Sequence, residues 1–349
     1  MTATLDRSLP PTPVERARRG VPGLAVALAV AAVATVAGRF VPLVGGPVLG
    51  IVLGALAGNL VPALRANVLA PGYATAARPV LQLSIVVLGT GLSLREVAQV
   101  GGSSLPVMLG TLSVALGGAW LLGRLLGVHR DTRTLIGVGT GICGASAIAA
   151  TSAVLKPKQA DVAYAVGTIF VFNIAAVLLF PPLGHLLGMS PHAFGLWAGT
   201  AINDTSSVVA AAYAYGGDAG PYALVVKLTR TLTLIPIVLV LAVLNARRQA
   251  GRGGPALRGL PWRKLVPPFL LGFLAAATLD SFGIIPVAWH APLSWLGTFL
   301  ITTALAGIGL SLRLKDLRAA GARPLLLGGA LWTAVAASSI GLQYLTGTL

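Results

Sequence analysis

Apolar runs of about twenty residues, each ended by a short polar or basic break, recur from Gly23 to the end of the chain. About 20 such residues, rising 1.5 Å each, cross a hydrocarbon core as a helix. The pattern predicts spans at 21–38, 47–64, 79–94, 104–127, 135–155, 162–187, 193–213, 221–244, 265–283, 293–312 and 324–346, eleven crossings in all. Period-two alternation between aromatic girdles is absent, which excludes an outer-membrane barrel. Residues 1–20 read as a disordered cytoplasmic tail, with three prolines between Asp6 and Val14. Residues 21–346 read as one transmembrane domain. Its longest polar interruption is the Gly/Arg-rich cytoplasmic linker 245–264, "NARRQAGRGGPALRGLPWRK", which divides the last three spans from the first eight.

Composition agrees with the pattern. The chain is 56% hydrophobic and 10% charged, with a mean hydropathy of +0.86, whereas soluble domains carry about 25% charged residues. The expected class is an all-α polytopic membrane protein. A net charge of +16 would suit a nucleic-acid partner, but the basic residues are not placed for one. With the spans above, 19 of the 25 Lys and Arg fall on one side. Lys and Arg bias cytoplasmic loops, so the expectation is a plasma-membrane (inner-membrane) protein with its N-terminus inside, its C-terminus outside, and no nucleic acid bound. The stretch "ERARRGVPGLAVALAVAAVATVAG" also fits a cleaved signal peptide, although its apolar run is long for one, and cleavage would leave the other ten crossings oriented as before. One cysteine makes no intramolecular disulfide.

Two pairs of segments echo each other. "GTGLSLREV" (89–97) and "GIGLSLRLK" (307–315) share Gly, Gly, Leu, Ser, Leu and Arg at matching spacing, and the span count runs them in opposite directions. That is what an inverted-topology repeat leaves behind, an architecture common in secondary transporters. "GTGICGASAIAA" (139–150) and "GTAINDTSSVVAA" (199–211) form the second pair. The count gives these two the same direction, which leaves local reuse of a motif or a re-entrant element as readings. A five-span repeat would instead pair 135–155 with 293–312.

The second pair carries the candidate chemistry. Each glycine weakens a helix by roughly 1 kcal/mol, so Gly137, Gly139, Gly141 and Gly144 favour an interruption. Broken backbone at membrane depth needs protein or a water-lined cavity to satisfy it, and a half-helix end offers N–H groups to an anion or carbonyls to a cation. Close helix packing explains the same small residues equally well. The candidate binding residues here are Thr140, Gly141, Ile142, Cys143, Gly144 and Ser146, with Thr151 and Ser152 extending the polar edge. In the seventh span Asn203 and Asp204 lie about 11 residues in, roughly 16 Å deep, followed by Thr205, Ser206 and Ser207. An intramembrane aspartate is a functional candidate by default; a structural cap is the alternative. In the eighth span Lys227 and Arg230 are three apart, on one face, roughly 9 and 13 Å deep. Lys227 could snorkel outward; Arg230 should face the interior. One buried negative and two positive charges leave a site that an anion would balance.

Other candidates carry less. Cys143 has no histidine in its span and reads as a packing residue. His129, His185, His192 and His290 fall at loops or span ends without metal-ligand spacing, so no metal is expected. Asp280 lies near the outer end of the ninth span, and Asn173 with Pro181–Pro182 marks a bend or helix end.

The chain resembles the YeiH-like family of bacterial membrane proteins, whose members carry a sulfate-exporter label. The resemblance covers nearly everything after the tail. It rests on the joint order of "GTGLSLREV", "GICGASAIAA" followed by "VLKPKQADVAYAVGTI", "FGLWAGTAINDTSSVVAAA" and "VVKLTRTLTLIP". It implies membership of the cation:proton antiporter and anion transporter superfamily, and a bile-acid-symporter-like or NhaA-like fold with crossed broken helices. Family members often carry His-Glu then Val-Ala-Gln where Asn203–Asp204 and Thr205–Ser207 stand here. The acid is kept and the imidazole is not.

The expected function is a secondary transporter, an exporter of a small, sulfate-like inorganic or organic anion, driven by an ion gradient through alternating access. Asp204 would serve the coupling ion, a proton or sodium, and the lipid bilayer is the surrounding partner. No cofactor is expected, a homodimer is left open, and no G-x-x-x-x-G-K-[ST] loop for ATP occurs. The alternatives are an intramembrane enzyme, with Asp204 and Asp280 as a carboxylate dyad, and a passive anion channel.

Overall fold

The computed structural model describes residues 13–40, 45–250, 268–312 and 321–349, and among these every regular element is helical. Helices α1 (Pro13–Gly38) and α2 (Gly45–Leu60) precede α3 (Ala70–Thr75), which passes through a π-turn at Ala76–Val80 into α4 (Leu81–Leu88). Then come α5 (Leu94–Leu125), α6 (Arg130–Gly141), α7 (Ala145–Leu155), α8 (Gln159–Leu186), α9 (Pro191–Ala201), α10 (Thr205–Tyr215), α11 (Ala219–Leu232) and α12 (Leu234–Ala250). The described part ends with α13 (Pro268–Ser281), α14 (Val287–Ser311) and α15 (Ala322–Thr346). Among the described residues, six stretches are long and apolar enough to cross a bilayer: Arg19–Gly38, Leu94–Leu125, Gln159–Leu186, Ala219–Leu241, Val287–Ser311 and Ala322–Thr346. The expected tail is helical from Pro13, and residues 245–250 of the expected linker belong to α12. Residues 1–12, 251–264 and the Arg313–Lys315 end of the second echo lie outside the described residues.

Helices α1–α4, α13 and α14 form one layer, and α5, α6, α8, α9, α11 and α15 form another. Helix α10 lies between them, against α2 and α14 on one side and α8 and α11 on the other. Small residues set the first layer. Gly50, Gly54 and Gly58 recur every fourth residue on α2, and a Cβ at Gly54 would stand 2.5 Å from the Ala306 carbonyl oxygen of α14. Backbones this close are the means by which helices associate in lipid, where apolar burial gives no preference for helix over tail. The two "G-x-G-L-S" echoes end α4 and α14. Leu88 meets Gly297 while Ala76 meets Gly307, so these helices run antiparallel.

The fifth and seventh segments, read as crossings, do not run the length of the bundle. Each is a re-entrant hairpin. Helix α6 descends beside α5, with Gly137 against Ala119 and Gly141 against Leu112. The chain turns at residues 142–144, and α7 returns alongside, with Ile148 facing Gly139. The return brings Asp161, at the start of α8, within 2.5 Å of Thr132, at the start of α6. Helix α9 likewise turns at residues 202–204. Helix α10 returns until Tyr215 stacks on Phe194, ring centroids 3.8 Å apart, and bonds the Met189 carbonyl. The hairpins enter from opposite ends of α8. Two fold-backs reverse the sixth segment alone and leave every later segment pointing as the crossing count has it.

The α2–α14 glycine ridge gives a stability test. Gly54→Leu should cost at least the 1–3 kcal/mol typical of overpacking, and it should lower the melting temperature in detergent. Gly102→Leu, at a glycine whose Cβ would meet nothing within 4 Å, should change it little.

Candidate functional site

The hairpin tips meet beside Asn173, near the midpoint of the 28-residue α8. Local sequence makes each turn. At the first tip, Gly144 adopts φ +65°, a conformation costly for any residue with a Cβ. A Cβ there would also come within 3.3 Å of the Asp204 Cβ at the second tip. At that second tip Asp204 is the N-cap of α10, accepting from the Ser206 N–H at 3.1 Å and from its hydroxyl. The Asp204 N–H donates to Asn173 Oδ1 at 3.2 Å. The sequence reading noted Asn173 only as a bend marker, yet it ties the second tip to α8. An uncharged amide at mid-span was the available signal.

Lys227 and Arg230 are fully buried on α11, on the face shown to both tips. Lys227 Nζ donates to the carbonyls of Ile142 and Ile202, each at 2.8 Å. Arg230 donates from Nε to Gly141 O at 2.6 Å, from Nη2 to Thr140 O at 3.4 Å, and from Nη1 to Thr200 O. The orphan carbonyls of α6 are thereby all taken, because the Ile142 and Gly144 N–H groups cover Val138 and Gly139. Lys227 does not snorkel. Both cations face protein carbonyls.

The charges sort themselves in space. The C-terminal ends of α6 and α9, each worth about half a negative charge, meet the two cations. The N-terminal ends of α7 and α10, each about half positive, flank Asp204. Asp204 and Thr205 are half-buried and Ser146 is exposed, while Thr140, Cys143, Asn203, Ser206 and Ser207 are buried. Among the described residues, Thr140 Oγ1 and Asn203 Oδ1 are buried without a hydrogen-bond partner in the protein. Thr151 Oγ1 and Ser152 Oγ on α7 are in the same position. Such groups each cost about 1–3 kcal/mol, and here two lie at the tips. The structure therefore gathers all the sequence-predicted site residues around one junction. The segment whose break meets that of 135–155 is 193–213, while 293–312 lies in the unbroken α14 and its C-cap. Asp280 is not part of the junction: it pairs with His290 at 2.7 Å at the end of α13, where Ser281 binds the start of α5.

Comparison with known proteins gives a family likeness. A family model described as "Conserved hypothetical protein 698" matches residues 22–328. A UPF0324 membrane protein of Streptococcus agalactiae is 38% identical over 341 residues, covering 94% of this chain and 98% of its own. One from Fusobacterium nucleatum is 40% identical over 330 residues, 89% of this chain and 93% of its own. One from Streptococcus pneumoniae is 39% identical over 333 residues, 93% and 97% of the two chains. No solved structure matches the chain.

The cation–carbonyl bonds yield a test. Arg230→Met strips donors from Thr140, Gly141 and Thr200 at once, at about 1–3 kcal/mol for each carbonyl left bare. The melting temperature should fall, and amide exchange should rise selectively at residues 139–147 and 199–206. Arg230→Lys should recover part of both.

Proposed function

The chain belongs to the UPF0324 family of multi-pass membrane proteins, and from that premise we propose that it is a secondary transporter exporting a small, sulfate-like anion. The observation that carries the reading is the junction of the two hairpin tips at mid-bundle. Two helix N-termini, unpaired buried oxygens and the half-buried Asp204 converge there. Irregular backbone at membrane depth is tolerated where protein buries it or where it lines a water-filled cavity, and transporters place their substrate sites at such breaks. Formal charge at the junction favours an anion, since the buried Lys227 and Arg230 outnumber the half-buried Asp204 by one. The YeiH-like sulfate-exporter resemblance points the same way.

In this proposal the anion binds against the first N–H groups of α7, beside Ser146 and Thr205, and Asp204 takes up the coupling proton or sodium. Gradient-driven rocking of the tip-bearing layer against the α2–α14 layer then exposes the junction to each face in turn. The two echoes, each carried on elements that run in opposite directions, support an inverted repeat. The hairpin return moves Lys156 and Lys158 to the side already rich in Lys and Arg, which strengthens the assignment of that side to the cytoplasm.

Transport by purified protein in proteoliposomes tests the reading. Sulfate and a panel of other small anions should show saturable uptake that follows an imposed proton or sodium gradient. Asp204→Asn should insert normally and reduce gradient-driven flux to the background of empty vesicles. Wild-type flux in that variant would remove Asp204 from the mechanism, and flux indifferent to the gradient would make the protein a channel.

A further inference from the structure

The base of the first hairpin holds a second cluster, well away from the tips. His129 is the N-cap residue of α6, Asp131 lies in its first turn, and Asp161 lies in the first turn of α8. Spacing along the chain groups no histidine with metal ligands, because 29 residues separate Thr132 from Asp161 and a crossing would put them on opposite faces. The fold-back places one ligand atom of each of the three residues within 4.8 Å of the other two. We infer that His129, Asp131 and Asp161 form a binding site for a first-row divalent metal ion that staples the hairpin to α8.

Three observations carry this inference. His129 Nδ1 stands 3.4 Å from Asp161 Oδ1; two ligands, each about 2.1 Å from a tetrahedral zinc, are about 3.4 Å apart. The Asp161 side chain is 10% exposed, and its Oδ2 is buried with no hydrogen-bond partner in the protein. A buried carboxylate oxygen left so is costly, and an ion that takes both Asp161 oxygens, Oδ1 on the His129 side and Oδ2 behind it, relieves it. The Thr132 hydroxyl donates to Asp161 Oδ1 at 2.5 Å, the kind of outer contact that aims a metal-bound carboxylate.

The N-termini of α6 and α8 contribute about half a positive charge each, and Arg130 and Lys158 adjoin them in the chain, so the ion would be held by direct coordination to the two carboxylates and the imidazole rather than by net charge. His129 is exposed and Asp131 half-buried, so a fourth position faces solvent. One imidazole and two carboxylates suit Zn²⁺ or Mn²⁺ better than Mg²⁺, which prefers oxygen alone. The ion would lock the return of α7 to the entry of α6, holding the hairpin at its base as Lys227 and Arg230 hold it at its tip.

The test is calorimetric titration of ZnCl₂, with MnCl₂ and MgCl₂ for comparison, into purified protein that carries no polyhistidine tag and has been stripped with EDTA. Wild type should bind one Zn²⁺ per chain and gain melting temperature. His129→Ala, at an exposed side chain, and Asp161→Asn should each weaken binding at least tenfold and lose the thermal gain. Thr132→Val should weaken it about 10–100-fold, and Asp218→Asn, at an exposed acid elsewhere, should leave it unchanged. No saturable Zn²⁺ site in wild type, or equal affinity in wild type and His129→Ala, overturns the proposal and leaves a plain His129–Asp161 ion pair. Neither result bears on transport.

Discussion

The hydrogen bonds from Lys227 and Arg230 to the ends of α6 and α9 are the constraint on which the rest of the structure depends. A helix that stops at mid-bundle leaves up to four carbonyls without partners, and no lipid can supply them. Two long cationic side chains buried without partners would be costlier still. Each problem removes the other. The three-residue spacing puts both cations on one face of α11, and that face lies where two hairpins present their carbonyl ends together. The tips are consequently bonded to one another through α11, so displacement of either is felt by its mate.

Small residues make that arrangement reachable. Gly199 of α9 stands where a Cβ would be 2.7 Å from Val226, and Gly141 of α6 where one would be 3.0 Å from Leu112. Helix backbones must approach this closely for the α11 side chains to reach the tips from the side. The sequence left two readings for the glycines of 137–144, a break or tight packing, and the structure uses both. Gly137 and Gly141 face α5 closely, while Gly144 supplies the left-handed turn. One residue type serves both ends because a missing side chain permits contact and conformational freedom alike.

Hydropathy and composition were enough to read an all-helical membrane chain, interruptions near 142 and 203, and polar residues at mid-depth. They could not give the direction of the chain after each interruption. A twenty-residue apolar segment with a break halfway has the same composition whether its second half continues or returns. Only a contact distant in sequence, such as Thr132 with Asp161, distinguishes the two. The same ambiguity hid the partners of Lys227 and Arg230. Charge counting found them and predicted an interior placement for Arg230, with Lys227 free to snorkel, but backbone carbonyls leave no mark in a sequence. Matching of the two "Gly-Thr" echoes gave the nearest hint, since mates in an inverted pair cannot both cross in the same direction.

The tips echo each other in sequence but differ in chemistry, and the difference shows where a ligand would bind. At the second tip the first turn of α10 is capped from within by the Asp204 carboxylate. At the first tip the corresponding cap is Gly144, which has no side chain to offer. The first turn of α7 therefore has no carboxylate cap, with the Cys143 thiol set against the Ala147 N–H, and it lies beside an exposed Ser146. In the proposed transporter, an anion entering the junction would supply at α7 what Asp204 supplies at α10. With the ion bound, a charged Asp204 close by becomes unfavourable, so occupancy by the anion should favour a neutralised Asp204. Under the transport reading proposed above, that repulsion would link anion and coupling ion without any hinge residue or direct contact between the two.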